Sequence, residues 1–135
     1  MKCLDKNRIQ VGAYCSPQPA YELNGVKYPS KITLDHYKIL ADLGVTIVYG
    51  HAEAIGRENE ALVFEALRLC EEVGIKYFVR DLIAELYVSL GHREFPAWKS
   101  LSKEEKDALD FRFEESINRY KDYPAFAGIS LIERR

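Results

Sequence analysis

The sequence predicts an α/β domain of about four parallel strands with helices between them. Three observations carry this reading. Short β-branched or apolar runs, such as Val45-Thr46-Ile47-Val48-Tyr49 and Ile75-Lys76-Tyr77-Phe78-Val79, alternate with stretches of helical periodicity. Two helix-to-strand joints use the same device, Leu43-Gly44-Val45 and Val73-Gly74-Ile75, with glycine as the helix stop. The final run, from Ala125 to Ile132, is apolar apart from Gly128 and Ser130, with the carboxylate Glu133 at its tip, the look of a strand covered on both faces. Strands alternating with helices imply parallel pairing through right-handed crossovers.

Taken in order, Ile9-Gln10-Val11-Gly12-Ala13-Tyr14 is the first strand. Ser16 to Lys31 then reads as a long loop, stiffened by Pro17, Pro19 and Pro29 and turned by Asn24-Gly25, with Tyr21 and Tyr28 riding on it. A loop of that length inside a compact domain is often functional. Thr33 can cap a helix running to about Leu43, where Leu34, Tyr37, Leu40 and Ala41 recur at helical spacing. Val45 to Tyr49 is the second strand, followed by the loop Gly50 to Gly56.

The next helix runs from about Glu58 to Val73. Leu62, Ala66, Leu69 and Val73 form one apolar row, with Val63, Leu67 and Cys70 beside it. Ile75 to Val79 is the third strand, with Arg80-Asp81 at its tip. A short apolar helix from about Leu82 to Leu90 and a loop from Gly91 to Lys99 follow. Ser102-Lys103-Glu104-Glu105 is a capping box that opens a helix reaching about Tyr120, with Leu109, Phe113, Ile117 and Tyr120 on one face and its charges solvated. Tyr123-Pro124 separates that helix from the fourth strand.

A chain of 135 residues accommodates one domain with a substantial core, and no linker composition divides residues 1–135. The net charge of −2 gives no electrostatic reason to expect nucleic acid or an anionic membrane as partner. No apolar run approaches the roughly 20 residues that span a bilayer. The basic start, Met1 to Arg8, lacks the apolar segment of a signal peptide. The expected location is the cytoplasm, or a secreted or periplasmic setting if a leader has been removed. Cys3, Cys15 and Cys70 have neither CxxC nor zinc-ligand spacing, which fits reduced thiols, with Cys70 in the core.

Under parallel pairing every strand tip faces one end, where α/β proteins place their chemistry. The first strand brings Tyr14 and Cys15 there, the second Tyr49, His51 and Glu53, the third Arg80 and Asp81, the fourth Glu133. Carboxylates, a cation, an imidazole and aromatic rings suit a polyhydroxylated ligand, since rings pack on apolar sugar faces while charged groups bond to hydroxyls. Each residue also has a structural reading. Arg80-Asp81 serves equally as an ion pair or a helix cap, Tyr14 and Tyr49 as core filling, and Glu133 as a solvated terminal residue. His51-x-Glu53 has the form of a metal-ligand pair, but His36 and His92 lie on distant segments, so no metal or other cofactor is expected. GxGxxG, GxxxxGK[ST] and GxSxG are all lacking, which argues against dinucleotide, P-loop and esterase functions.

Gly12-Ala13-Tyr14 leading into a proline-bearing loop, Leu43 to Tyr49, and Tyr123 to Leu131 resemble the N-terminal half of glycoside-hydrolase-like TIM barrels of the clan A superfamily, nearest to bacterial β-galactosidase-like members. The resemblance covers nearly the whole chain in element order, and its specific part is the stretch around the fourth strand. It implies a partial (β/α)₈ TIM barrel, four strands being half of what a barrel needs at about 250 residues. A small open doubly wound sheet is the alternative. The implied parent acts on carbohydrate, with Tyr14, Tyr49, His51, Glu53, Arg80 and Asp81 shaping the sugar subsite.

In the resembled family the fourth strand ends in Asp-Glu-Pro or Asn-Glu-Pro, whose Glu is the general acid/base. Here it ends Ile132-Glu133-Arg134-Arg135. Aligned through Gly128, Glu133 falls on the Asp and Arg134 on the catalytic Glu; a one-residue slip puts Glu133 in the acid's place. The motif is broken, and the switch to Arg-Arg reads as a frameshift, truncation or cloning boundary. Most glycosidases flank one bond with two carboxylates, roughly 5–5.5 Å or 6.5–9.5 Å apart, and the family's nucleophile comes from a later strand. The expectation is therefore a glycosidase-like fragment that hydrolyses nothing alone. Two other readings stand beside it. One is a non-enzymatic half barrel that forms a homo-oligomer or pairs with a complementary half through its open edges. The other is a metal-dependent sugar-isomerase-like barrel using His51 and Glu53.

Overall fold

A computed structural model describes residues 4–50, 60–80 and 100–130. Within them the element order is β1 (Gly12–Ala13), β2 (Tyr21–Leu23), β3 (Val26–Tyr28), α1 (Leu34–Asp42), β4 (Ile47–Tyr49), α2 (Glu60–Val73), β5 (Lys76–Val79), α3 (Lys103–Tyr120) and β6 (Phe126–Ile129). The architecture is α/β. Four strands form a parallel sheet in the order β1-β4-β5-β6, each neighbour pair in parallel register. The short helix expected at Leu82 to Leu90 lies outside the described residues.

The helix ends form where the sequence supplies the chemistry for them. The Thr33 side chain accepts the His36 N–H at the start of α1, and Ser102 Oγ accepts the Glu105 N–H at 3.1 Å at the start of α3. Each such cap is worth about 1 kcal/mol. At the far end of α1 the Gly44 N–H donates to Ala41 O and the Val45 N–H to Leu40 O. At the far end of α2 the Gly74 N–H donates to Glu71 O and the Ile75 N–H to Cys70 O. Both are the paired closing bonds of a Schellman motif, which aims the chain straight into the next strand.

The three described helices pack on one side of the sheet. Tyr37 of α1, Val63, Ala66, Leu67 and Cys70 of α2 and Tyr120 of α3 join Val48, Tyr77, Val79 and Phe126 from the strands in one buried cluster. On α2 the deepest residues are Val63, Ala66, Leu67 and Cys70, while Leu62, Leu69 and Val73 are only partly buried. The stripe is thus centred a residue away from the row that periodicity picks first. Cys70 is a free thiol in this core and Cys15 a free, exposed one. Arg119 Nη1 bonds Glu60 Oε1 at 2.8 Å and ties α3 to the start of α2.

Two expectations are corrected. The segment from Ser16 to Lys31 is not a plain loop: it holds a β-hairpin pairing Tyr21 with Tyr28, Glu22 with Lys27 and Leu23 with Val26. Asn24 and Gly25, at φ of 51° and 75°, make the type I′ turn that suits a two-residue hairpin, and the Lys31 N–H to Gln18 O bond closes its base. The last strand is also not covered evenly, since Phe126 is buried but Ala127, Gly128 and Ile129 are half-buried. It carries a bulge: Tyr77 pairs with Phe126 and Phe78 with Gly128, leaving Ala127 as the extra residue. No helix among the described residues is long and apolar enough to cross a membrane.

Candidate functional site

Because side chains alternate along a strand, the sheet has a second face, opposite the helices. Gly12, Ile47, Tyr49, Phe78 and Gly128 share it, as the strand registers require. Tyr49 and Phe78 lie side by side on β4 and β5, their ring centroids 5.2 Å apart and their planes within 13°. The two outer strands leave room for these rings. A Cβ at Gly12 would stand 3.2 Å from Tyr49 Cε2, and one at Gly128 3.2 Å from Phe78 Cε1. The result is a row across all four strands, small at both ends and aromatic in the middle. Both rings are half-buried, so each keeps an accessible surface.

The C-terminal tips of the strands converge next to this row. The Ser16 N–H donates to Tyr49 O, the Gly50 N–H to Phe78 O and the Ser130 N–H to Val79 O, so the ladder continues to the very ends of the strands. Ser16 and Arg80 are buried there, and both are engaged within the protein. Among the described residues no carboxylate sits at a strand tip; those positions hold Tyr14, Cys15, Ser16, Gly50, Arg80 and Ser130.

Of the residues singled out from sequence, Tyr49 and Arg80 occupy the sheet's C-terminal end as expected. Tyr49 lies flat against its neighbours, while Arg80 is only 4 % exposed, which favours a structural part for it over direct contact with ligand. Tyr14 follows β1 with its ring in solvent, 71 % exposed, and makes no ring contact among the described residues, so it does not join the aromatic row. His51, Glu53, Asp81 and Glu133 lie outside the described residues. No group of three or more metal-ligating side chains occurs among the described residues.

Sequence reasoning missed Phe78, Gly12 and Gly128. Phe78 stands in a run of Tyr77-Phe78-Val79 in which every residue is apolar, so the sequence alone does not say which face each takes. Only the pairing of β4 with β5 puts Phe78 beside Tyr49. The hairpin carries a second aromatic pair, Tyr21 and Tyr28, with centroids 4.8 Å apart, on a strand face where Leu23 and Val26 are also exposed. Comparison of the chain with protein-family models, with curated proteins and with solved structures returns no match.

Proposed function

We propose that the chain is a carbohydrate-binding α/β unit of the glycoside-hydrolase-like type, the first half of a (β/α)₈ barrel, taking a sugar ring against Tyr49 and Phe78. The observation that carries the proposal is the half-buried aromatic pair on the sheet face away from the helices. A pyranose has one face of C–H groups that packs on aromatic carbon, and the Tyr49 hydroxyl adds a donor and an acceptor for sugar hydroxyls. The sequential strand order and the placing of the described helices on one side of the sheet support the barrel reading, because a barrel sheet winds in one direction with its helices outside. Glu133 is the acid/base in this proposal, on its sequence position alone. Because the acidic motif around Glu133 is broken in the sequence, the chain by itself is expected to bind sugar without cleaving it.

Saturation-transfer NMR with galactose-, glucose- and xylose-based oligosaccharides tests this. Transfer to ring C–H protons is expected, weakened about five-fold in Tyr49→Ala, the size of a lost aromatic packing contact of roughly 1 kcal/mol. Absence of transfer from the whole panel, or an unchanged signal in Tyr49→Ala, would overturn the proposal. Turnover of aryl glycosides by the purified chain would overturn its non-catalytic part.

A second reading has its own observation. β1 lies at one edge of the sheet, and Ile9, Val11 and Tyr14 beside it are 87 %, 46 % and 71 % exposed. An open edge flanked by apolar side chains is a template for another strand, here one from a second copy or a complementary half barrel. Sizing across a hundred-fold range of concentration, roughly micromolar upward, should show a discrete dimer; a monomer throughout, or an open series of aggregates, would count against it.

A further inference from the structure

We infer that the β2–β3 hairpin carries a second sugar platform, the stacked pair Tyr21 and Tyr28, so that the ligand is an oligosaccharide running from Tyr49 and Phe78 out to the hairpin. The inference rests on the sugar-binding reading of Tyr49 and Phe78, and it adds the class of ligand: a chain of sugars rather than a single ring.

The hairpin grows from the same end of the sheet as the first pair. The chain leaves β1 beside Tyr49, where the Ser16 N–H donates to Tyr49 O at 3.0 Å. Tyr21 lies five residues beyond Ser16, at most roughly 18 Å of extended chain, a gap that a short oligosaccharide spans. The base of the hairpin is fixed. Ser16 and Ile32 are buried on either side of it. The Lys31 N–H donates to Gln18 O at 2.8 Å, and the Ile32 N–H to Ser30 Oγ at 3.2 Å. Pro17, Pro19 and Pro29 restrict the backbone of both connections. The two rings are thus positioned before a ligand arrives, which lowers the ordering cost of binding.

Strand alternation puts Tyr21, Leu23, Val26 and Tyr28 on one face of the hairpin and Glu22 and Lys27 on the other. The tyrosine rings stack with centroids 4.8 Å apart and planes within 11°. All four apolar residues remain between 39 % and 56 % exposed. A two-stranded hairpin is marginal by itself, and this one keeps its apolar face in water. Its size decides what covers that face. Even at roughly 100 Å² each, about half of what a buried aromatic side chain covers, four side chains fall well short of the roughly 800 Å² per partner of a stable protein interface. A small flat ligand needs no more than that. A pyranose lays its C–H face on the rings, and the Tyr21 and Tyr28 hydroxyls donate to and accept from its hydroxyls. Continuity with Tyr49 and Phe78 makes that pyranose the next part of the same ligand.

NMR titration of the whole chain with single sugars and with oligosaccharides of increasing length, in the galactose, glucose and xylose series, tests this. Affinity should rise about five-fold once the ligand is long enough to meet both pairs, the size of one further aromatic packing contact. Tyr28→Ala should erase that rise, and Tyr28→Phe, which keeps the ring, should retain it. Tyr49→Ala should weaken ligands of every length. Nuclear Overhauser contacts from sugar C–H protons to the Tyr28 ring should appear with the long ligands alone, a signal that a purely structural tyrosine pair does not give. Affinity independent of length, or a rise that survives Tyr28→Ala, would overturn the inference while single-ring binding at Tyr49 stands. A dimer that dissociates in Tyr28→Ala would assign the face to a second copy and overturn it as well.

Discussion

Gly50→Ala should destabilise the protein by about 1–3 kcal/mol, a large share of the roughly 5–15 kcal/mol that holds an ordinary domain together. Gly50 follows β4 at the C-terminal end of the sheet. A Cβ there would stand 2.7 Å from Tyr77 Oη and 3.1 Å from both Arg80 N and Phe78 O. Two of those atoms are backbone, and Phe78 O also accepts the Gly50 N–H at 2.8 Å, so β4 and β5 cannot separate without losing that bond. Tyr77 is completely buried under the helices. Its hydroxyl is also buried without a hydrogen-bond partner among the described residues. Tyr77→Phe should therefore be neutral or stabilising by up to about 1 kcal/mol, since it removes an unsatisfied polar atom and little else. In the Tyr77→Phe background, Gly50→Ala should cost about 1 kcal/mol less than in the wild type, because the closest of the three contacts is gone. Urea midpoints of the four proteins complete the cycle. A loss of more than about 1 kcal/mol in Tyr77→Phe would mean that the hydroxyl has a partner, and would sink the argument.

Local chemistry was legible in the sequence because it is written in neighbouring residues. Thr33 and Ser102 cap the helices they precede, and Gly44 and Gly74 close the helices they follow, each within one turn of the chain. The parallel sheet follows from alternation, and the buried side of α2 from its spacing, though centred one residue off. The hairpin was also within reach: Tyr21-x-Leu23 and Val26-x-Tyr28 alternate on either side of Asn24-Gly25, the strongest short-range hairpin signal there is. The prolines around it made the whole segment read as loop. The aromatic row was not within reach in the same way. Tyr49 stood out as a strand tip, but Gly12, Phe78 and Gly128 come from three other strands, and what unites them is cross-strand register, which no local pattern encodes. The bulge at Ala127 is decisive here, because without that extra residue Ala127 rather than Gly128 would pair with Phe78.

Gly128→Ala is the second substitution expected to cost heavily, about 1–3 kcal/mol, and for a different reason. Gly128 has φ of +154°, a conformation that side-chain-bearing residues adopt only under strain, and it follows directly on the bulged residue. A Cβ there would also press on the Phe78 ring, at 3.2 Å from Cε1 and 3.4 Å from Cδ1. Gly12 offers the control. Its Cβ would meet Tyr49 Cε2 at the same 3.2 Å, but its backbone lies outside the positive-φ region and its strand is at the sheet edge. Gly12→Ala should need only a small shift of the Tyr49 ring and cost well under about 1 kcal/mol. If backbone strain dominates at Gly128, the two losses should differ clearly in urea denaturation; equal losses would assign both to ring contact and remove the conformational argument. Both alanines should tilt the aromatic pair, and both should weaken sugar contact if Tyr49 and Phe78 are the platform. Only Gly128→Ala should do so with a large loss of stability. The bulge would then be what lays Phe78 flat beside Tyr49, and the strained glycine would be a requirement of the binding face rather than of the sheet alone.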